Sequence, residues 1–190
     1  MGRRTRSRTS VFVLLALGLL WGACSSEPAG PTVLAPGERM PDGMTLTSPA
    51  FEDGRPIPER YSCEGENLPP PLRWTGTPAG ATELALVIED PDATGGVFVH
   101  WIVAGIDPGA TSIEPGPPPA DADEFKGSSD MAAYIGPCPP DDGGVHRYHF
   151  QIYALRARPR LVESSRPVEK VRAIRKAAVA GGQLIGTFER

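Results

Sequence analysis

The chain has 190 residues, with 19 basic and 23 acidic side chains and 22 each of glycine and proline. That length suits one domain plus a tail. The acidic balance argues against a nucleic-acid partner, which demands a basic face.

The first 23 residues read as a secretory signal. Arg3, Arg4, Arg6 and Arg8 form a positive leader, and Val11 to Leu20 is apolar. Such a run is too short for a stable membrane span. Its removal takes four basic residues and no acid, so 15 basic (19 − 4) remain against 23 acidic, a net charge of −8. Cys24 follows Trp21-Gly22-Ala23 and precedes Ser25-Ser26. Small residues before a lone cysteine look like a bacterial lipoprotein box, although Trp21 stands where leucine is usual. The expectation is an exported chain, lipidated at Cys24 and held on the outer face of the cell membrane, since two acyl chains anchor stably. An ordinary signal cleaved nearby, giving a periplasmic or secreted product, is the alternative.

Residues 24–43 read as a Pro/Gly-rich linker carrying Pro28, Gly30, Pro31, Pro36, Gly37 and Pro41. The domain is expected over 44–190. Met44 to Phe51 suggests a short strand ended by Pro49. Glu83 to Asp90 alternates, with Leu84, Leu86, Ile88 and then Asp90 on one face. Val97 to Ile106 is apolar on both faces, yet His100 lies between Phe98 and Ile102. Asp107 to Val145 is too long for a plain hairpin loop. Its Pro/Gly/acid part, 107–133, reads as a solvated loop or, alternatively, a protein-docking surface. His146 to Leu155 places Tyr148, Phe150, Ile152 and Ala154 on one face, with His146 at its head. A helix is expected after Ser164-Ser165 as caps and Pro167 in the first turn, with Val171, Ile174 and Ala178 on a stripe and Gly181-Gly182 as its stop. Gln183 to Glu189 closes the chain as a strand. Short strands, long Pro/Gly connections and one late helix predict a mainly β fold, a sandwich with a few peripheral helices.

An acid and two imidazoles thus sit on core-facing sides at strand ends. A lone inward histidine is ordinarily a core residue with its bonds satisfied. Several unpartnered ionisable groups are costly to bury, so convergence on a small polar cavity is the economical reading. Two loops flank it. Asp90-Pro91-Asp92-Ala93 delivers two carboxylates around a fixed proline, although an Asp92 that merely bonds turn backbone would give the same residues. Tyr134-Ile135-Gly136-Pro137-Cys138-Pro139-Pro140 makes a stiff wall in which glycine permits close approach. Cys63 and Cys138 are expected either to pair as a disulfide or to stay as two free buried thiols; without CxxC spacing they do not suggest a metal.

EDPDA (89–93), FVHW (98–101), YIGPCPP (134–140) and HRYHFQIYAL (146–155), in that order, resemble the phosphatidylethanolamine-binding protein family, in its bacterial Raf-kinase-inhibitor-like branch. YSCEGENLPPPLRW (61–74) and LIGTFER (184–190) support the likeness, which runs from Met44 to Arg190. The resemblance implies a β-sandwich of two antiparallel sheets with a small cavity for phosphate-bearing anions such as phospholipid head groups. It implies a ligand set of Asp90, Asp92, His100, Tyr134, Gly136, Pro137, His146 and Tyr148. Ser128 to Ala133 departs from the Asn-Asp-x-Gly stretch common in bacterial relatives. Inhibition of an intracellular kinase does not fit an exported chain.

The expected mechanism is binding without cofactor or metal. His100 and His146 would donate to the anion, Asp90 would orient one imidazole, and backbone N–H groups near Gly136 would complete the shell. With both imidazoles charged, they and the two aspartates sum to zero; with both neutral, to −2. Catalysis is not expected, because no Ser or Cys sits in a recognisable nucleophile elbow. A protease inhibitor or other protein-interaction module is the alternative function.

Overall fold

The computed structural model describes residues 1–2 and 40–190. The signal segment, Cys24 and most of the 24–43 linker lie outside the described residues. The chain divides into Met1–Gly30 and Pro31–Arg190, and the sheets and helix all belong to the second unit.

Among the described residues nine strands build two sheets. In chain order they are β1 (Thr45–Thr47), β2 (Arg55–Pro56), β3 (Leu72–Thr75), β4 (Glu83–Asp90), β5 (Phe98–Ile106), β6 (Ser112–Ile113), β7 (Asp123–Phe125), β8 (His146–Leu155) and β9 (Ala178–Phe188). Among the described residues one α-helix, α1 (Pro167–Ala177), precedes β9, and a 3-10 turn spans Glu59–Tyr61. The small sheet runs β1-β3-β6 and the large one β2-β9-β8-β4-β5-β7. All ladders are antiparallel except the two-residue β2–β9 pair.

The sandwich follows from side-chain alternation. Leu84, Leu86 and Ile88 of β4 meet Leu46, Leu72, Trp74 and Ile113 of the small sheet in one core. The opposite face of β4, with Ala85 and Val87, packs with Val171 and Ile174 of α1 in a second core. Both faces of the central strands are therefore covered, which is why every residue of β4 is buried.

Three expectations need correction. The helix does not end at Gly181-Gly182: it ends at Ala177, and β9 begins at once and runs through both glycines. Those glycines serve the crossing of β1. Met44 N–H donates to the Gly181 carbonyl at 3.0 Å, and a Cβ on Gly182 would stand 2.7 Å from the Met44 carbonyl oxygen. Nor do Ser164 and Ser165 cap the helix. Pro167 is in its first turn, but the cap is Arg166, whose N–H donates to the Glu169 carboxylate at 3.2 Å. The segment 107–133 is not merely a solvated loop: it contributes β6 to the small sheet and β7 to the large one.

One further departure bears on the site. In the β4–β5 ladder, Asp90 faces Phe98, Glu89 faces Val99 and Ile88 faces Trp101, so His100 has no partner across. This is a β-bulge, which reorients the strand. It brings Trp101 into the inter-sheet core and turns Ile102 to the helix side. His100 therefore shares its face with Phe98 but not with Ile102.

Candidate functional site

The bulge frees backbone groups of β5, and the excursion after it takes them up. Val99 N–H donates to Ser128 Oγ at 2.9 Å, and Ser128 N–H donates to the Val99 carbonyl at 2.8 Å. The His100 carbonyl accepts from Ile135 N–H at 3.4 Å, while His100 Nδ1 meets the Ile135 carbonyl at 2.8 Å. A carbonyl only accepts, so Nδ1 carries the proton. Burial lowers the His100 pKa below its ordinary value, which favours the neutral ring.

Across from it, Asp90 ends β4 with both carboxylate oxygens engaged. Oδ1 accepts the Asp92 N–H at 2.8 Å, shaping the turn, and Oδ2 accepts from His146 Nδ1 at 2.7 Å. Asp90, His100 and His146 are 3%, 5% and 5% exposed. Tyr148, two residues along the same face of β8, is fully buried, and its ring centroid stands 5.2 Å from that of His100. Burial raises its pKa, with the Asp90 charge adding to the effect. The Tyr148 hydroxyl meets no hydrogen-bond partner of good geometry among the described residues.

These groups surround a cavity of about 250 Å³. Of the eight residues implied by resemblance, Asp90, His100, Gly136, His146 and Tyr148 line it. Asp92, Tyr134 and Pro137 do not; they hold the walls. Asp92 accepts from Arg147 through backbone N–H (2.9 Å), Nε (2.8 Å) and Nη2 (2.5 Å). These bonds to Arg147 hold its carboxyl below the usual carboxylate range. Successive residues of β8 thus take the two acids of the turn, His146 on the cavity face and Arg147 on the other. Tyr134 donates to the Tyr61 carbonyl at 2.7 Å and stacks edge-on against Trp101. The Pro137 carbonyl accepts from Cys63 N–H at 3.0 Å.

The wall is tied from behind. Cys63 and Cys138 form a disulfide, with Cα atoms 5.5 Å apart and the residues 75 positions apart in sequence. Arg190 joins Glu64 at 2.9 Å, Asp141 at 3.1 Å and the Pro139 carbonyl at 3.3 Å. Gly136 is packed so closely that a Cβ would lie 2.5 Å from the Tyr61 carbonyl oxygen. Its N–H donates to Asn67 Oδ1 at 2.8 Å and is not free for a ligand, unlike the expectation for this stretch.

The implied ligand set left out Phe98 and Thr94, and it left out Ala93, Ile135, Cys138, Pro139 and Pro140, which the sequence marked only as parts of the flanking loops; all seven line the cavity. Phe98 was legible, being two positions from His100, and its ring lies 4.7 Å from the imidazole. The Asn67 and Arg147 roles depend on contacts across 69 and 55 positions that no local pattern signals. Among the described residues no three His, Cys, Asp or Glu side chains gather as metal ligands would.

Known proteins share this sequence pattern and fold. Residues 47–189 match the family model described as phosphatidylethanolamine-binding protein. A Mycobacterium tuberculosis protein named as a lipoprotein, LppC, is 47% identical over 146 residues, covering 77% of this chain and 72% of its own. The crystal structure of a phosphatidylethanolamine-binding protein homologue, CT736, from Chlamydia trachomatis superposes with a TM-score of 0.70 at 35% identity, covering 78% of this chain and 99% of that one. Escherichia coli YbcL, described as a member of the mammalian family, gives 0.72 at 26% identity with the same coverage.

Proposed function

The chain belongs to the phosphatidylethanolamine-binding protein family, and on that footing we propose that it is an exported, membrane-anchored binding protein. Its cavity takes small phosphate-bearing ligands of the phospholipid head-group kind and performs no catalysis. The observation that carries this reading is the meeting of the Asp90–His146 pair, His100 and the Tyr148 hydroxyl at one small cavity. A protonated His146 keeps its Nδ1–H on Asp90 and offers Nε2–H to an oxyanion, a charge-assisted bond. Asp90 then neutralises the imidazolium. An enclosed phenol without a partner is costly, and a ligand or water in the cavity supplies one. The stiff, disulfide-backed wall supports binding without rearrangement.

Export and anchoring rest on the signal-like leader, Cys24 and the lipoprotein name of a relative. The disulfide supports an oxidising compartment. No helix among the described residues is long and apolar enough to cross a membrane.

Calorimetry with O-phosphoethanolamine tests the pocket. The unmodified protein is expected to bind, and His146→Ala to weaken binding about tenfold or more while still unfolding cooperatively, at a lowered temperature because buried Asp90 loses its partner. Unchanged affinity in His146→Ala would remove the imidazole from the site, and no binding to the unmodified protein would remove the function.

A further inference from the structure

The anion reading leaves open which protonation state of a phosphate the cavity accepts, and the hydrogen-bond polarity of its walls bears on that. His100 Nδ1 is committed as a donor to the Ile135 carbonyl. In the neutral ring the remaining nitrogen, Nε2, then carries a lone pair. No hydrogen bond occupies it among the described residues, and the ring lines the cavity. An anion's bare oxygen set against this nitrogen meets acceptor against acceptor. A hydroxyl set there donates.

The rest of the wall is poor in donors. Of residues 136–140, three are prolines without N–H, the Gly136 N–H is spent on Asn67, and the Cys138 N–H is turned toward the Tyr148 hydroxyl. The charges are equally sparing. Asp92 is cancelled by Arg147, and Asp90 cancels a protonated His146. The cavity therefore has no surplus positive charge to hold a dianion. The ionisable groups facing His100 are Asp90 of β4 and His146 and Tyr148 of β8.

We propose that the cavity selects a phosphomonoester monoanion, a group that carries one acidic hydrogen of its own. Its P–OH donates to His100 Nε2, and its oxyanion accepts from His146 and Tyr148. This rests on the phosphate-binding function proposed for the cavity and narrows it. A phosphodiester, as in an intact phosphatidylethanolamine head group, has no such hydrogen. Burial lowers the His100 pKa, which favours the neutral ring whose Nε2 accepts. The same chemistry comes from a soluble monoester or from a lipid monoester such as phosphatidic acid.

O-phosphoethanolamine and O-sulfoethanolamine make the decisive pair. At about pH 5.5 the phosphate is chiefly a monoanion with one P–OH, since its second pKa is about 6. The sulfate matches it in size and charge but bears no proton. Calorimetry on the full chain is expected to show the phosphate bound about 100-fold more tightly, because a polar site rejects an analogue lacking the hydrogen it reads. In His100→Phe the ratio is expected to fall toward one.

Equal affinities in the unmodified protein overturn the proposal while leaving the anion pocket standing. Binding of neither compound overturns both. Discrimination that survives intact in a folded His100→Phe also overturns it. If that variant does not fold, the comparison in the unmodified protein decides alone. Phosphatidylcholine vesicles doped with phosphatidic acid or with phosphatidylethanolamine identify the source. Capture by phosphatidic acid assigns the lipid monoester, and binding of the soluble monoester without vesicle capture assigns a soluble metabolite. Preference for phosphatidylethanolamine refutes the selection.

Discussion

His100 and Ile135 hold each other twice: the imidazole donates to the Ile135 carbonyl, and the Ile135 N–H donates to the His100 carbonyl. The two peptide groups flanking Ile135 are thereby locked to the bulge in β5, and the ring is fixed in orientation. A charged ring would keep this bond but would have to be buried.

That cost predicts a pH response of the fold. His100 and His149 both have pKa values lowered by burial. A histidine lowered in the folded state takes up its proton more readily when unfolded. Stability is therefore full above about pH 6.5 and falls as the pH drops below it, by up to about 1.4 kcal/mol per pH unit for each ring. Urea unfolding at a series of pH values reads this slope. His149→Gln, which retains a donor for Gln183, is expected to remove about half of it.

Gly136→Ala places a methyl group against the Tyr61 carbonyl and the Asn67 amide oxygen. The wall must shift, since the obstructing atoms include backbone. The expected cost is about 1–3 kcal/mol by thermal unfolding, with ligand affinity reduced because Ile135 and Gly136 move together.

Reduction of the Cys63–Cys138 bond releases the wall from the 61–66 turn. Loss of a native disulfide in a small domain costs about 2–5 kcal/mol. Denaturant unfolding with and without reductant is expected to show that loss. A Cys63→Ser/Cys138→Ser double variant should match the reduced protein and no longer respond to reductant.

On the face away from the cavity, Glu89 is paired with Arg175 of α1 and with Gln151, which accepts from Tyr153. Glu89 is 2% exposed. Arg175→Met leaves that carboxylate buried with its main charge partner gone, and about 3–5 kcal/mol of stability should be lost. Adding Glu89→Gln should recover much of it. A double variant as unstable as the single one would show that the carboxylate's charge is not the cause.

For the anchor, metabolic labelling with a tagged fatty acid is expected to mark the unmodified chain. Cys24→Ala should lose the label and leave the membrane fraction. Membrane retention of Cys24→Ala would exclude lipid at that residue as the tether.

The long strands were legible because their alternation is strong and both faces are buried: β4 and β8 span the residues their patterns mark. Pro167 marked the first turn of α1. Legibility failed where one residue served another element. Gly181 and Gly182 have the composition of a helix stop, but their small size lets β1 cross β9. The two residues of β6 and three of β7 are too short to show a period. The bulge that separates His100 from Ile102 depends on pairing with β4, which no single strand encodes. In the site, alternation placed His146 and Tyr148 on one face, and Phe98 with His100, but failed for His100 and Ile102. Asp92 was assigned with its neighbour Asp90 because Arg147 lies on the opposite face of β8, where only the ladder brings it near.

The excursion from Asp107 to Val145 adds an edge strand to each sheet before it supplies the cavity wall. Its hydrogen bonds therefore presuppose that both layers already exist. Pairings between distant parts of a chain are slow to form, because loop closure must come first. Recognition should be the last property this chain acquires as it matures and the first it surrenders under mild denaturation, while its sheets still persist.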